Sequence, residues 1–219
     1  MLRVIVLLSG GIDSATLLYS VLKTGRVTRA VSFNYGQRHS VELSAARQVC
    51  AAANVSHTTI AIPRLSDALP NSSLTDRRVA VPEGHYEEES MKATVVANRN
   101  MILLAIAAGH AIAHGFDTIA YAAHSGDHAI YPDCRPEFIR AMRQALSWCD
   151  WNQVDLETPF SDMTKAQIVM EGHRLGVPFE LTWSCYKGEQ QHCGKCGTCV
   201  ERREAFKLAG VPDPTRYAD

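Results

Sequence analysis

Arg3-Val4-Ile5-Val6-Leu7-Leu8-Ser9-Gly10-Gly11-Ile12-Asp13-Ser14 is the stretch on which the fold turns. Residues 3–8 form a short apolar run without polar alternation, the mark of a strand buried on both faces of a parallel sheet. The run ends at Ser-Gly-Gly, which favours a turn, and Ile12 to Lys23 follows as a helix closed by Gly25. Further on, Ala30 to Tyr35 reads as a second strand ending at Gly36. Glu42 to Ala53 then reads as a helix with Ala45, Ala46, Val49 and Ala53 on one face, and Thr58 to Ile62 as a third strand before Pro63. Strand and helix alternating at this interval predict an α/β fold with a doubly wound, Rossmann-like parallel sheet.

The segment from about 63 to 91 breaks the rhythm with Pro70, Pro82 and the acidic run Glu87-Glu88-Glu89. It reads as an insertion with little regular structure, serving either as a lid or interface loop or as a plain solvated loop. Arg99 to His114 is apolar on nearly every side, consistent with core packing or with a subunit interface. Thr118 to Ala122 supplies a fourth strand, Pro136 to Trp148 a helix with proline in its first turn, and Val154 to Glu157 a fifth strand. Lys165 to Leu175 is a helix stopped by Gly176, and a short helix over Val200 to Leu208 precedes Gly210. The expected organisation is one domain over residues 1–219, with a cysteine-bearing C-terminal segment over about 183–210.

The chain has 219 residues, 46% hydrophobic and 21% charged, which excludes a disordered polyelectrolyte. With 22 Lys+Arg against 23 Asp+Glu it offers no basic field for nucleic acid, so any anion must be held locally. Val4 to Leu8 is too short an apolar run for a signal peptide or a membrane span, and a cytoplasmic protein is expected. Seven cysteines, an odd number, argue against a closed disulfide framework and leave metal binding or thiol chemistry open.

Three constellations carry candidate chemistry. Ser9-Gly10-Gly11-Ile12-Asp13-Ser14 joins a strand to a helix. Its glycines admit close backbone approach, and the helix start offers unpaired N–H groups and a positive dipole end, so the turn suits a phosphate group; it lacks the Walker A lysine. Cys185-x7-Cys193-x2-Cys196-x2-Cys199, with Gly188, Gly194 and Gly197, places four thiolates in fifteen residues. This suits a closed, tetrahedral, structural Zn²⁺ site; an iron–sulfur cluster or a disulfide pair are the competing readings, and His192 reads as an exposed neighbour. The third follows the fourth strand, from Ser125 to Phe138. Asp133 there is either an N-cap ahead of Pro136 or, with Arg135, a partner for a flat polar heterocycle bearing a carboxylate. Lys165 opposes the dipole of its own helix, capped by Asp162 or Thr164, and reads either as an anion contact or as a solvated lysine. His110 and His114 lack a third ligand and read as structural.

The first motif resembles that of the PP-loop ATP pyrophosphatases, whose Ser-Gly-Gly-x-Asp-Ser signature binds the pyrophosphate part of ATP. Tyr131-Pro132-Asp133-Cys134-Arg135, Phe33-Asn34-Tyr35-Gly36-Gln37-Arg38-His39, and Cys185-Tyr186 leading into the cysteine cluster narrow this to a resemblance to the 7-cyano-7-deazaguanine synthases, over Arg3 to about Ala209. One stretch departs: Val96-Ala97-Asn98-Arg99-Asn100 stands where that family commonly has Val-Pro-Gly-Arg-Asn.

The resemblance implies an ATP-dependent ligase of queuosine biosynthesis joining ammonia to 7-carboxy-7-deazaguanine. It implies ATP contacts at Leu8, Ser9, Gly10, Gly11, Ile12, Asp13, Ser14, Ala15, Thr16, Leu17 and Leu18, with Mg²⁺ near Asp13. Asp13, Lys165 and Arg99 would serve catalysis, Arg38, Tyr131, Asp133 and Arg135 the substrate, and Cys185, Cys193, Cys196 and Cys199 one zinc. A homodimer without nucleic-acid or membrane partners is expected. The rivals are a related PP-loop reaction that stops at the amide or thiolates tRNA, and a zinc-knuckle nucleic-acid-binding module with a degenerate ATP site.

Overall fold

In the computed structural model, which describes residues 2–86 and 89–218, the first strand β1 (Arg3–Leu7) is central to the sheet. Val4 and Val6 are fully buried in one core and Ile5 in the other, so both faces of β1 are covered. This accounts for the missing alternation in sequence. β2 (Val27–Asn34), β3 (Ser56–Ala61), β4 (Thr118–Ala120) and β5 (Asp155–Glu157) complete a parallel sheet in the order β3-β2-β1-β4-β5.

Helices α1 (Ile12–Lys23) and α2 (Val41–Ala52) pack on the Val4/Val6 face. After β3 comes α3 (Leu65–Ala68), a single turn, and then the chain crosses to the other face. There α4 (Arg99–Ala113) and α5 (Pro136–Leu146) cover Ile5, Val31, Ile119 and Leu156. Finally α6 (Lys165–Leu175) and α7 (Gly197–Ala209) return to the first face, where Ile168, Val169 and Phe206 join the core. The strand order reverses between β1 and β4, and a crevice opens there beyond the carboxyl ends of the strands.

Several local readings shift. β2 begins at Val27, paired with Arg3, three residues ahead of the expectation, because its first residues are polar or exposed and hide the strand. α4 is not buried all round: Leu104, Ala107, Ala108 and Ala111 are covered, but Met101 is 46% exposed. α7 starts at Gly197 rather than Val200, since Cys196 stands at its N-cap and accepts from the Val200 N–H at 3.0 Å. Cys149 lies beyond the end of α5 and is exposed, whereas Cys50 is buried in α2 as expected. Thr164 caps α6 through a reciprocal box with Gln167, and Gly176 ends it at φ 74°.

The insertion is largely irregular but is not a plain solvated loop. Ser72, Ser73 and Leu74 are buried, Ser73 N–H reaches the Ala93 carbonyl at 2.8 Å, and Arg38 N–H reaches the Leu74 carbonyl at 2.8 Å. Of its acidic run, Glu87 and Glu88 lie outside the described residues. No helix among the described residues is long and apolar enough to cross a membrane.

Arg202 on α7 is fully buried, a position the sequence did not single out. Its guanidinium donates to Asp213 Oδ1 (3.1 Å), Thr182 Oγ1 (2.8 Å) and the Phe179 carbonyl (3.1 Å), tying α7 to the segment before the cysteines. Removing one member of such a pair strands the other, so Arg202→Leu should cost about 3 kcal/mol of stability in urea unfolding. A variant as stable as the parent would show that the network contributes nothing net.

Candidate active site and four-cysteine centre

The turn after β1 is already ordered by its own hydroxyls. Ser14 Oγ donates to the Gly11 carbonyl (3.2 Å), so the Ser9 hydroxyl must donate to Ser14 (3.0 Å), while Gly11 N–H donates to Ser9 Oγ (3.2 Å). The Ile12, Asp13 and Ser14 N–H groups precede the first bond of α1, Ala15 N–H to the Gly11 carbonyl, and form a small anion cradle. Gly10 has φ 92°, and a Cβ there would meet the Glu42 carbonyl oxygen at 2.4 Å and Ala46 N at 2.8 Å. Its carbonyl accepts the Trp183 N–H at 2.9 Å.

This turn lines a cavity of about 250 Å³. Of the residues expected to contact ATP, Leu8, Ser9, Gly11, Ile12, Asp13 and Ser14 border it. Gly10 packs on α2 instead, Ala15, Leu17 and Leu18 belong to the core, and Thr16 is buried against α6.

A charged cluster closes one side of the cavity. Lys165, at the first position of α6, lies 2.6 Å from Asp13 Oδ2 and 3.2 Å from Glu201 Oε2, so the ion pair, rather than solvent, explains a lysine at a helix start. His124 Nδ1 accepts the Gly126 N–H at 3.1 Å, which puts the ring proton on Nε2, 3.5 Å from Asp127 Oδ2. Burial opposes the Asp13 charge, but Lys165 and His124 outweigh it and hold the carboxyl below its usual range. Glu201 goes the other way: burial raises it against the pull of Lys165. Lys165, despite burial, is held above its ordinary value by Asp13, Glu201 and Asp127. Asp13 Oδ1 is buried without a hydrogen-bond partner among the described residues.

The opposite wall is phenolic. Arg99, at the start of α4, makes no ion pair among the described residues; Tyr35, Tyr186, Tyr131 and Tyr121 surround it, and they outweigh the burial that opposes its charge. Thr94 Oγ1 donates to the Met91 carbonyl (2.7 Å), so Tyr131 must donate to Thr94 (2.7 Å) and Tyr186 to Tyr131 (3.2 Å). Tyr86, from the insertion, donates to Asp127 Oδ1 at 3.2 Å and joins the two walls. Asn98, within the departing stretch 96–100, precedes Arg99 with φ 56°, a left-handed conformation that favours glycine and that asparagine tolerates.

Three expected substrate residues lie elsewhere. The Asp133 carboxylate accepts the Asn100 N–H at 3.0 Å and so caps α4, a helix distant in sequence, rather than the one it precedes. Arg135 Nε donates to the His128 carbonyl at 2.8 Å, and Arg38 donates to the carbonyls of Asp76 and Val79 at 2.9 Å, holding the insertion. None of the three borders the cavity, whereas Tyr131 and Cys134 do. His124, Glu201 and Glu42 were not singled out in the sequence, and Asp127 and His39, though inside the Ser125–Phe138 and Phe33–His39 stretches, had no role assigned there. The spacing of His124 from Asp127, and of His39 from Glu42, at i and i+3 was the available signal.

Cys185, Cys193, Cys196 and Cys199 are buried, with their sulfurs all within 4.8 Å of one another. The Cys193–Cys199 and Cys196–Cys185 separations are both 4.0 Å, which excludes disulfides and suits a metal ion. The Lys195 and Cys196 N–H groups donate to Cys193 Sγ (3.5 and 3.3 Å), which stabilises negative charge on that sulfur. His192 is not exposed: it is 6% accessible, stacked on Trp183, and accepts the Ser184 N–H at 3.0 Å. Gly84 N–H bonds the Lys195 carbonyl at 3.0 Å, fastening the insertion to this knuckle.

Comparison with known proteins adds a family. The family described as queuosine biosynthesis protein QueC matches residues 3–210. A 7-cyano-7-deazaguanine synthase of Methanoregula boonei is 49% identical over 216 residues, covering 99% of each chain. That of Rhizobium johnstonii is 52% identical over 220 residues, covering 100% of this chain and 93% of its own. In structure, a predicted subunit of tRNA methyltransferase from Methanocaldococcus jannaschii superposes with a TM-score of 0.54 at 15% identity, over 100% of this chain and 93% of that one; this likeness concerns the fold alone.

The two glycines of the turn should respond differently to a methyl group. Gly10→Ala meets backbone atoms of α2 at a positive φ and should cost about 2 kcal/mol or more in thermal unfolding. Gly11→Ala meets nothing nearer than 3.4 Å and should change stability by less than about 0.5 kcal/mol. Equal losses would refute the close-approach argument.

Proposed function

Because the chain belongs to the QueC family of queuosine biosynthesis, we propose that it is a ligase making 7-cyano-7-deazaguanine from 7-carboxy-7-deazaguanine, ammonia and ATP. The observation that carries this reading is that one cavity holds both the cradle of N–H groups after β1 and, among phenols, the guanidinium of Arg99, which makes no ion pair among the described residues. The first suits a pyrophosphate, the second a carboxylate on a flat ring.

A carboxylate resists ammonia because oxide is a poor leaving group. Attack of the carboxylate oxygen on the α-phosphorus of ATP expels pyrophosphate and turns that oxygen into part of a good leaving group, AMP. Ammonia then gives the amide, and activation of the amide oxygen by a second ATP, with loss of AMP, gives the nitrile. The Ile12, Asp13 and Ser14 N–H groups would hold the departing pyrophosphate, with Lys165 adding positive charge. Arg99 would hold the carboxylate and then the acyl phosphate, and Tyr131 and Tyr186 would flank the ring. This gives Arg99 a place at the acyl group as well as at phosphate. Asp133, Arg135 and Arg38 keep the walls in place without touching substrate.

The buried, unpartnered Asp13 Oδ1 fits Mg²⁺, which when bound neutralises charge on the phosphates. The four thiolates fit Zn²⁺: their 4.0 Å separations approach the edge of about 3.8 Å of a tetrahedron with metal–sulfur bonds of about 2.3 Å. Such a metal would fix the start of α7 and thereby Glu201. The exposed apolar side of α4 around Met101 is where we expect a second copy to pack as a homodimer.

Mass spectrometry after incubation with the carboxylate, ammonium and ATP should show the nitrile, with two AMP and two pyrophosphate per product; amide alone, or no turnover, would overturn the reading. Elemental analysis should find one zinc per chain, and Cys196→Ser should lower both the zinc content and the unfolding temperature. Iron in its place would correct the metal.

A further inference from the structure

At the carboxyl end of β2, His39 and Glu42 form a dyad that borders the cavity. His39 is 5% exposed, and its Nε2 lies 3.1 Å from Glu42 Oε2. The Tyr35 N–H donates to Gln37 Oε1 (3.0 Å), which orients that amide, so Gln37 Nε2 donates both to the Phe33 carbonyl (2.9 Å) and to Glu42 Oε1 (3.0 Å). Both Glu42 oxygens are therefore acceptors, and His39 Nε2 must carry the hydrogen between ring and carboxylate. That leaves Nδ1 as a lone pair, and it is buried with no partner among the described residues. The ring leans on Tyr186, 5.4 Å between centroids, and so adjoins the Arg99 wall. The same turn presses on the phosphate loop, since the Glu42 carbonyl fills the space a Gly10 side chain would need.

We propose that His39 is the base that removes N–H protons during formation of the carbon–nitrogen bonds, with Glu42 as its positioning partner. This rests on the ligase reading above. Ammonia attacks the acyl carbon of the adenylate, the C–N bond forms, and the C–O bond to AMP breaks, leaving a proton on nitrogen for Nδ1. In the second round the amide oxygen displaces pyrophosphate from ATP and one N–H proton is lost. AMP then leaves with the C–O electron pair, the last N–H proton is removed, and the C≡N bond is complete. Three protons leave nitrogen, and each carboxylate oxygen departs on one AMP. After each step the ring returns its proton to water, and the Glu42 carboxylate stabilises the intervening imidazolium, by the logic of a carboxylate–histidine pair.

The test separates the half-reactions. Exchange of labelled pyrophosphate into ATP, measured with the carboxylate substrate and no ammonia, reports adenylation alone. His39→Asn should retain this exchange, which also shows that it folds, while nitrile formation falls by about 10²-fold or more. Glu42→Gln should lower kcat for nitrile formation by about tenfold with little change in KM for ammonia. Parallel loss of exchange and product in both His39→Asn and the second variant His39→Gln, or full product formation in either, would overturn the proposal. Absence of exchange in the parent protein would instead refute the ligase reading.

Discussion

A backbone contact at Gly10 holds the architecture of the site together. The carbonyl of this residue receives the Trp183 N–H, and the hydrogen in place of its side chain leaves room for the first turn of α2. Three segments far apart in sequence therefore meet at one point: the end of β1, the dyad turn after β2, and the strand of chain that leads into the four cysteines. Since interiors are packed densely, a shift in any of them is transmitted to the others.

The charge arrangement follows from the same geometry. A lysine at the first position of α6 is unfavourable beside the positive end of the helix, and three carboxylates from α1, α7 and the loop after β4 are unfavourable near one another. Brought together, Lys165 offsets Asp13 and Glu201, and His124 stands between Asp13 and Asp127. The counterpart is Arg99, whose guanidinium lies among four phenols, donates to Asn100 Oδ1 at 3.2 Å and makes no ion pair among the described residues. On one wall the carboxylates outnumber the single lysine, which suits a cation, while on the other the guanidinium suits an anion.

The strands and helices were legible because their signals are local: the unbroken apolar run of β1, the capping residues of α6, the glycines after α1 and α6. The cysteine centre was legible from spacing alone. What escaped depends on contacts across the sheet. Asp133 reads as a substrate contact, or else as a cap for the helix it precedes, and instead caps α4; Arg38 reads as a ligand-binding cation, and its Nη2 instead donates to two insertion carbonyls. His192 resembled a surface neighbour of the knuckle until Trp183 and Tyr217 were seen to enclose it. Glu201 became meaningful only because α7 starts inside the cysteine cluster and turns that residue toward Lys165.

The left-handed residue at Asn98 bears on how this chain could change over generations. Most side chains are strained at that backbone angle, and asparagine is among the few that tolerate it. Glycine and asparagine both hold this angle at little cost, whereas a β-branched residue would be strained there, beside Arg99. Position 98 has few neutral exits, and the route between them is a constraint on lineage as much as on shape.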